Sequence, residues 1–168
     1  MKIDEFINKA LEKKLLRFLS SMGKYVSDWV SSESKHYWTD ATYNLKDSIG
    51  SGLYKDGALI KFIGNPASAS ISTTYIYHKQ MYNMSGRNKL MSALQNNHLS
   101  NTGKYVLAVF CEAPYGFFLE HGLGPDGIDA GDSSKKGYGW WSEGLVPYIN
   151  EKFELELKAF ENEIKFGK

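Results

Sequence analysis

Residues 104–122 read KYVLAVFCEAPYGFFLEHG, and this stretch decides the fold class. From Tyr105 to Cys111 the side chains are apolar at odd and even positions alike. A strand apolar on both faces belongs in the middle of a sheet, so Lys104–Glu112 is expected to be a central strand, bounded by Gly103 and Pro114. Pro114 ends it because proline has no N–H for the ladder. Beyond it, Tyr115, Phe118 and Leu119 can fold back over the sheet in a turn or short helix that runs to His121 and stops at Gly122. Glu120 then lies beside the following loop, where its carboxylate can cap a backbone or pair across a subunit boundary.

Working outward, Tyr54 and Ala58–Ile63 read as two short strands joined at Lys55-Asp56-Gly57, a hairpin signal. Ser70–Tyr77, rich in β-branched and aromatic residues, supplies another strand. A short helical element is expected at Thr42–Ile49, with Thr42 as N-cap and Leu45 one turn from Ile49. Gly50 and Gly52 are expected to break it. Lys89–Leu94 forms a short helix between Ser85-Gly86 and Asn96-Asn97. At the N-terminus Ile3, Phe6, Ile7, Leu11, Leu15, Phe18, Met22, Tyr25, Val26 and Trp29 recur every three or four residues, the period of an amphipathic helix. Such a helix is about 40 Å long, more than a small core is wide, so part of its stripe should meet something outside its own domain. Gly23 is expected to weaken it by ~1 kcal/mol and mark a bend. The run Ser31-Ser32-Glu33-Ser34 ends it. A last helix spans 142–166, with Leu145, Ile149, Phe153, Leu157, Phe160 and Ile164 along one side and Pro147 in its first turns, where proline is tolerated.

Hairpin connections without β-α-β alternation make this an α+β fold: an antiparallel sheet with a long N-terminal helix and a C-terminal helix packed on it. All 168 residues suit one domain, divided into an N-terminal helix (1–34), an insertion (64–103), a mobile loop (123–139) and the C-terminal helix (142–166).

Composition narrows the functional classes. Twenty basic against nineteen acidic residues give a net charge of +1, and Arg occurs only at 17 and 87. Without a basic cluster to neutralise phosphates, no specific nucleic-acid binding is expected. Cys111 is the only cysteine, so no intrachain disulfide forms, and a buried inert thiol is its default role. No window approaches the roughly 18 apolar residues a membrane span needs, and no signal peptide is visible, so no membrane partner is expected. His36, His78, His98 and His121 are too scattered for a zinc site. Asp126, Asp129 and Asp132 lack the alternating ligands and closing Glu of a calcium loop. The glycines around them are not followed by Gly-Lys-Ser/Thr, as a phosphate loop requires. Glu120-His121 with Glu112 nearby could suggest acid/base chemistry, but adjacent residues seldom converge on one reacting atom and no nucleophile stands beside them. No catalytic, cofactor-binding or metal-binding residue is therefore assigned, and no cofactor is implied.

The segment Glu112-Ala113-Pro114-Tyr115-Gly116-Phe117-Phe118-Leu119-Glu120-His121-Gly122 resembles an element of tail-completion proteins of long-tailed bacteriophages, the head-tail joining or neck group that caps the tail tube. In that family an apolar strand is followed by Pro-Tyr, an aliphatic or aromatic residue, and Glu-x-Gly. Upstream, Ala41-Thr42-Tyr43-Asn44-Leu45-Lys46-Asp47-Ser48-Ile49 is similar to its second landmark, usually Thr-Gly-Asn-Leu-Arg/Lys-x-Ser-Ile. The motifs cover about twenty residues in the family's order, and the long first and last helices agree with it. Tyr43 stands where the family has Gly, Asn65–Thr102 is longer than usual, and Leu123 replaces a small residue. The resemblance implies a non-enzymatic virion protein, assembled in the host cytoplasm. It would form a homo-oligomeric ring joining tail tube to head-side connector, with other neck and tail proteins as partners. Trp29, Tyr115, Phe118, Glu120, Tyr138, Trp140 and Trp141 are the expected interface residues, and loop 123–139 is expected to become ordered on assembly. The alternatives are a small metal-dependent hydrolase or nuclease using Glu112, Glu120 and His121, or a cellular adaptor.

Overall fold

A computed structural model of the chain describes residues 3–32, 44–64, 73–77, 80–97, 99, 104–113, 116, 120–121 and 139–166. Helix α1 spans Ile3–Ser32 and α2 spans Asn44–Asp47; strands β1 (Ile49–Lys55) and β2 (Ala58–Gly64) follow. Next come β3 (Thr73–Tyr77), β4 (Gln80–Met84), α3 (Gly86–Asn96) and β5 (Tyr105–Cys111). A π-helical turn, Trp140–Leu145, leads into the last helix, α4, Val146–Phe166. The main sheet is antiparallel with strand order β2-β1-β5, and β3 pairs with β4 in a separate two-stranded sheet. The chain is thus α+β, with an antiparallel sheet and long helices at both ends of the sequence.

The Asp56-Gly57 turn forms as expected. Both residues have positive φ, 49° and 83°, and the pairing of Lys55 with Ala58 leaves them as the two central residues of a tight hairpin. That backbone twist matches the twist of the strands it joins, which is why Asp-Gly is favoured there.

The centre of the sheet is not where the apolar run suggests. β1 is the middle strand, and six of its seven residues are buried. β5 lies at the edge of the three, and Val106, Ala108, Val109 and Phe110 are half-buried. Gly50 and Gly52, expected to break a helix, lie inside β1 instead. A Cβ on Gly50 would sit 2.9 Å from Leu90 Cδ2, and one on Gly52 would sit 2.7 Å from Leu94 Cδ2. The glycines are notches that let α3 lie close on the sheet, and the lost strand propensity is offset by that packing. Tyr54, in the same face, donates its hydroxyl to the Leu94 carbonyl at 2.8 Å and is fully enclosed.

Ile49, Ser51, Leu53 and Lys55 point to the opposite face, toward α1. Here Ile49 meets Val26, Trp29 and Val30, and Lys55 reaches Glu12. The sheet therefore has helix on both faces, with α3 on one and α1 with α4 on the other. Gly23 causes no break: α1 runs through it, and its missing side chain admits Ile63 of β2, whose Cδ1 would be 2.6 Å from a Cβ.

α1 and α4 pack antiparallel. Lys14 Nζ donates to the Glu163 carbonyl at 2.8 Å, Phe18 contacts Phe153 and Phe160 at 5.7 and 5.3 Å between ring centres, and Tyr25 donates to Glu156 Oε1 at 2.6 Å. The last helical segment begins two residues before its expected start. Pro147 has no N–H, and in a regular α-helix its ring would meet the carbonyl of Glu143; the wider π turn just before it absorbs that mismatch. Strand β4 carries no signal strong enough to have been expected from sequence.

Candidate functional site

The motif of residues 112–122 and the start of the last helix form one clasp. β5 ends at Cys111, and the Glu112 N–H then bonds to the Ser48 carbonyl at 3.0 Å, which ties the strand's end to the start of β1. The Gly116 N–H closes a turn onto Ala113 O at 2.9 Å. Gly116 is enclosed there, and a Cβ on it would lie 2.9 Å from Cys111 Sγ. Its carbonyl accepts the indole N–H of Trp140 at 2.9 Å.

Glu120 completes the clasp. Its Oε2 accepts the Trp141 N–H at 2.7 Å and its Oε1 the Ser142 N–H at 3.0 Å. These are donors at the helix start that have no partner within the helix, and a carboxylate there also meets the positive end of the helix dipole. The Gly139 N–H returns a bond to Glu120 O at 3.0 Å. Gly139 has φ 68°, the left-handed region that favours glycine, whereas the nearest atoms to a Cβ there belong to the flexible, exposed Glu143 side chain, which can move aside.

Two of the expected interface residues prove to be core residues. Trp29 and Trp140 are each 2% exposed, with ring centres 6.4 Å apart, in one cluster with Val26, Leu45, Ile49 and Leu145. Their large apolar surfaces hold α1, the π turn and β1 together, which leaves almost nothing for a partner to touch. Trp141 is half-buried, edge-on to Trp140 at 5.5 Å. Glu120 is half-buried and satisfies a helix end. Tyr115, Phe118 and Tyr138, the proposed N-cap Thr42, and the loop from Leu123 to Tyr138 lie outside the described residues.

A cavity of about 660 Å³ opens beside the clasp, walled by Cys111, Ala113, Gly116, Trp140 and Trp141, with Lys89, Glu112 and Glu120 also on its lining. Cys111 keeps part of its surface open, yet it is surrounded closely enough that burial pushes its thiol up to about 11. A thiol with that value is protonated at neutral pH and is a poor nucleophile. Ser48 Oγ stands 4.0 Å from the sulfur and donates to the Leu45 carbonyl at 2.7 Å, a structural role at the α2–β1 junction. Of the acid/base trio, Glu120 has both oxygens engaged, and His121 is exposed on the turn after it. Among the described residues, no three His, Cys, Asp or Glu side chains cluster closely enough to hold a metal ion. No helix among them is long and apolar enough to cross a membrane.

The second feature with functional content lies far from the clasp. α1 passes the end of the sheet at Glu12, whose Oε1 meets Lys55 Nζ at 2.7 Å. The ammonium holds the Glu12 carboxyl below its usual range, and the carboxylate raises Lys55 in turn. Beyond this pair Ile7 and Leu11 are 49% and 40% exposed, and Ile164 in the last turns of α4 is 46% exposed. The sequence signal for this feature was the helix's length, not any residue in the proposed interface. No family model matches the chain, and no curated protein or solved structure matches it either.

Proposed function

We propose that the chain is a structural subunit of a phage neck or tail end, one that self-associates into a ring joining the tail tube to the head-side connector. The observation that carries this reading is the overhanging tip of the α1–α4 pair. Ile7, Leu11 and Ile164 are large apolar side chains at the end of long helices, beyond the reach of the sheet that covers the rest of α1. Ile60, Val146, Phe153 and Leu155 are exposed elsewhere on the surface, but Ile7, Leu11 and Ile164 share one end of the helix pair, and apolar side chains gathered at one place suit a contact surface. The motif residues support the reading by their use. Glu120 caps the last helix and Gly116 holds Trp140, both architectural tasks. Mass photometry of the purified chain, followed by electron microscopy, is expected to reveal closed rings; a strictly monomeric chain at all concentrations refutes the proposal.

The hydrolase reading has the cavity in its favour, since Glu112 and Glu120 both border it. Glu120 already accepts one backbone N–H at each oxygen, so it would have to meet a metal or a water through its remaining lone pairs while capping the helix. Hydrolysis of ester or phosphodiester substrates that depends on added Mg²⁺ or Mn²⁺ and is lost in Glu112→Gln would establish it over the ring.

A further inference from the structure

We infer that the outer face of α1 binds the phosphate backbone of nucleic acid, without regard to base sequence. The inference stands apart from the ring reading and applies to a single chain. Lys9, Lys13, Arg17 and Lys24 are exposed, and together with Ser20 and Asp28 they follow one another along α1 at spacings of three or four residues. That spacing sets all of them on one face of the helix, turned away from the buried Met22 and Trp29. Lys61 of β2 is exposed beside them, and its Nζ donates to Ser20 Oγ at 3.2 Å. From Lys9 to Lys24 the cations line about 22 Å of helix. Neighbouring charges are engaged elsewhere: Lys14 with Glu163, and Glu12 with Lys55. Glu156, across a groove from Arg17, accepts from Tyr25.

This row of cations destabilises the helix that carries it. Lys9 with Lys13, and Lys13 with Arg17, are like charges four residues apart, an unfavourable pairing. The exposed face of α4 is built the other way. There Glu154 precedes Lys158 and Glu161 precedes Lys165 at the same spacing, the order that stabilises a helix. One helix neutralises its own solvent face, and the other presents positive charge that a polyanion can neutralise. A duplex carries a negative charge about every 1.7 Å of its axis, so the row spans several phosphates. Lys, Arg and Ser are common phosphate contacts, and such contacts carry no sequence information. A protein partner suits the face less well, because protein contacts favour aromatic residues and are depleted in Lys. Lipid suits it less well too, since a surface-bound helix buries its apolar side, and α1 commits Met22, Val26 and Trp29 to the core.

The test is fluorescence anisotropy of the full-length chain with two labelled DNA duplexes of unrelated sequence, over a range of salt concentrations. Both duplexes are expected to bind equally well, and the affinity is expected to fall steeply as salt rises, with a log–log slope of about −0.9 for each phosphate met. Lys13→Gln combined with Arg17→Gln is expected to weaken low-salt binding by about tenfold or more and to flatten that slope by about two. Its thermal midpoint should hold or rise, because like charges have been removed. Lys158→Gln combined with Lys165→Gln, on α4, is expected to leave binding unchanged. No binding at low salt, or an unaltered affinity and slope in the Lys13 and Arg17 double variant, would overturn the inference. Tighter binding to poly-glutamate or to phosphatidylserine vesicles than to DNA would also overturn it, and would make the face a contact for acidic protein or for membrane.

Discussion

At its C-terminal end α1 buries Met22, Val26, Trp29 and Val30, none more than 3% exposed, whereas at its N-terminal end Ile7 and Leu11 keep 49% and 40% of their surface. Leu11, Phe18, Met22 and Trp29 are spaced seven, four and seven residues apart, so one apolar stripe runs through both ends. What differs is the cover. At the C-terminal end the stripe meets Ile49, Trp140 and Leu145. At the other end β1 has already stopped beside Glu12, and Ile7 and Leu11 stay exposed although α4 runs past its Lys14 contact at Glu163 to Phe166. An amphipathic stripe states that burial is required; the lengths of neighbouring elements decide whether the chain itself can provide it.

The largest effects are expected at the covered end. Trp140→Ala removes the ring packed on Trp29 and the indole bond to Gly116, and it should cost about 3–5 kcal/mol by urea unfolding. Trp29→Ala should fall in the same range. A loss below about 1 kcal/mol for either would mean that the aromatic cluster is not the core of this fold.

Next is the clasp beside that end. Glu120→Ala strips two capping bonds and should cost about 1–2 kcal/mol. Glu120→Gln keeps one acceptor but turns an amide N–H toward the other donor, so it should lose part of that and leave the fold intact. Thermal melts of both variants check this. Equal melting of wild type and Glu120→Ala would make the clasp ornamental, and unfolding of Glu120→Gln would make it a core element.

Between the two ends, Tyr25 links α1 to α4 through Glu156, and the Glu156 carboxylate, aided by burial, pushes the phenol up to about 12. An unfolded tyrosine loses its proton near pH 10. The bond's contribution is therefore whole below about pH 10 and is lost as pH rises through about 12. Tyr25→Phe should reduce stability at neutral pH by about 1 kcal/mol or less and flatten the alkaline limb of the stability curve. An alkaline limb unchanged in Tyr25→Phe would assign that limb to other groups.

The smallest effect on the isolated chain is expected at the uncovered end. Leu11→Ser should change its stability by about 1 kcal/mol or less, because 40% of the residue's surface is already in water. The same substitution should weaken assembly much more. If Leu11→Ser instead destabilises the monomer as Trp29→Ala does, the two ends are alike and the comparison fails.

Much of the architecture was legible because its causes are local. The repeat of apolar residues in α1 and α4 marks helices, and Asp56-Gly57 marks a hairpin because few other pairs tolerate two positive φ angles in succession. The central strand was not legible. Gly-Ser-Gly at 50–52 reads as a break, and only Leu90 and Leu94, some forty residues later, explain why side chains are absent there. The uniformly apolar β5 reads as the centre because local composition reports burial on two faces, not the number of hydrogen-bonded neighbours. β4 is illegible for a related reason: Gln-Met-Tyr-Asn-Met lacks alternation, and its strand character comes from pairing with β3.

By itself the sequence determined the class of fold, the two long helices and their excess length, and the helix-capping capacity of a carboxylate placed after Pro-Tyr-Gly. All of these follow from periodicity, from the missing N–H of proline and from the chemistry of single side chains. Only the tertiary structure decided which aromatic residues are core and which remain available. Trp29 and Trp140 are as amphipathic as any interface tryptophan, but α1, β1 and the π turn converge on them and exclude water. Ile7 and Leu11 belong to the same kind of helix face, yet the sheet ends beside Glu12 and leaves them exposed. Burial is a property of what arrives from elsewhere in the chain, and a residue's own identity does not contain it.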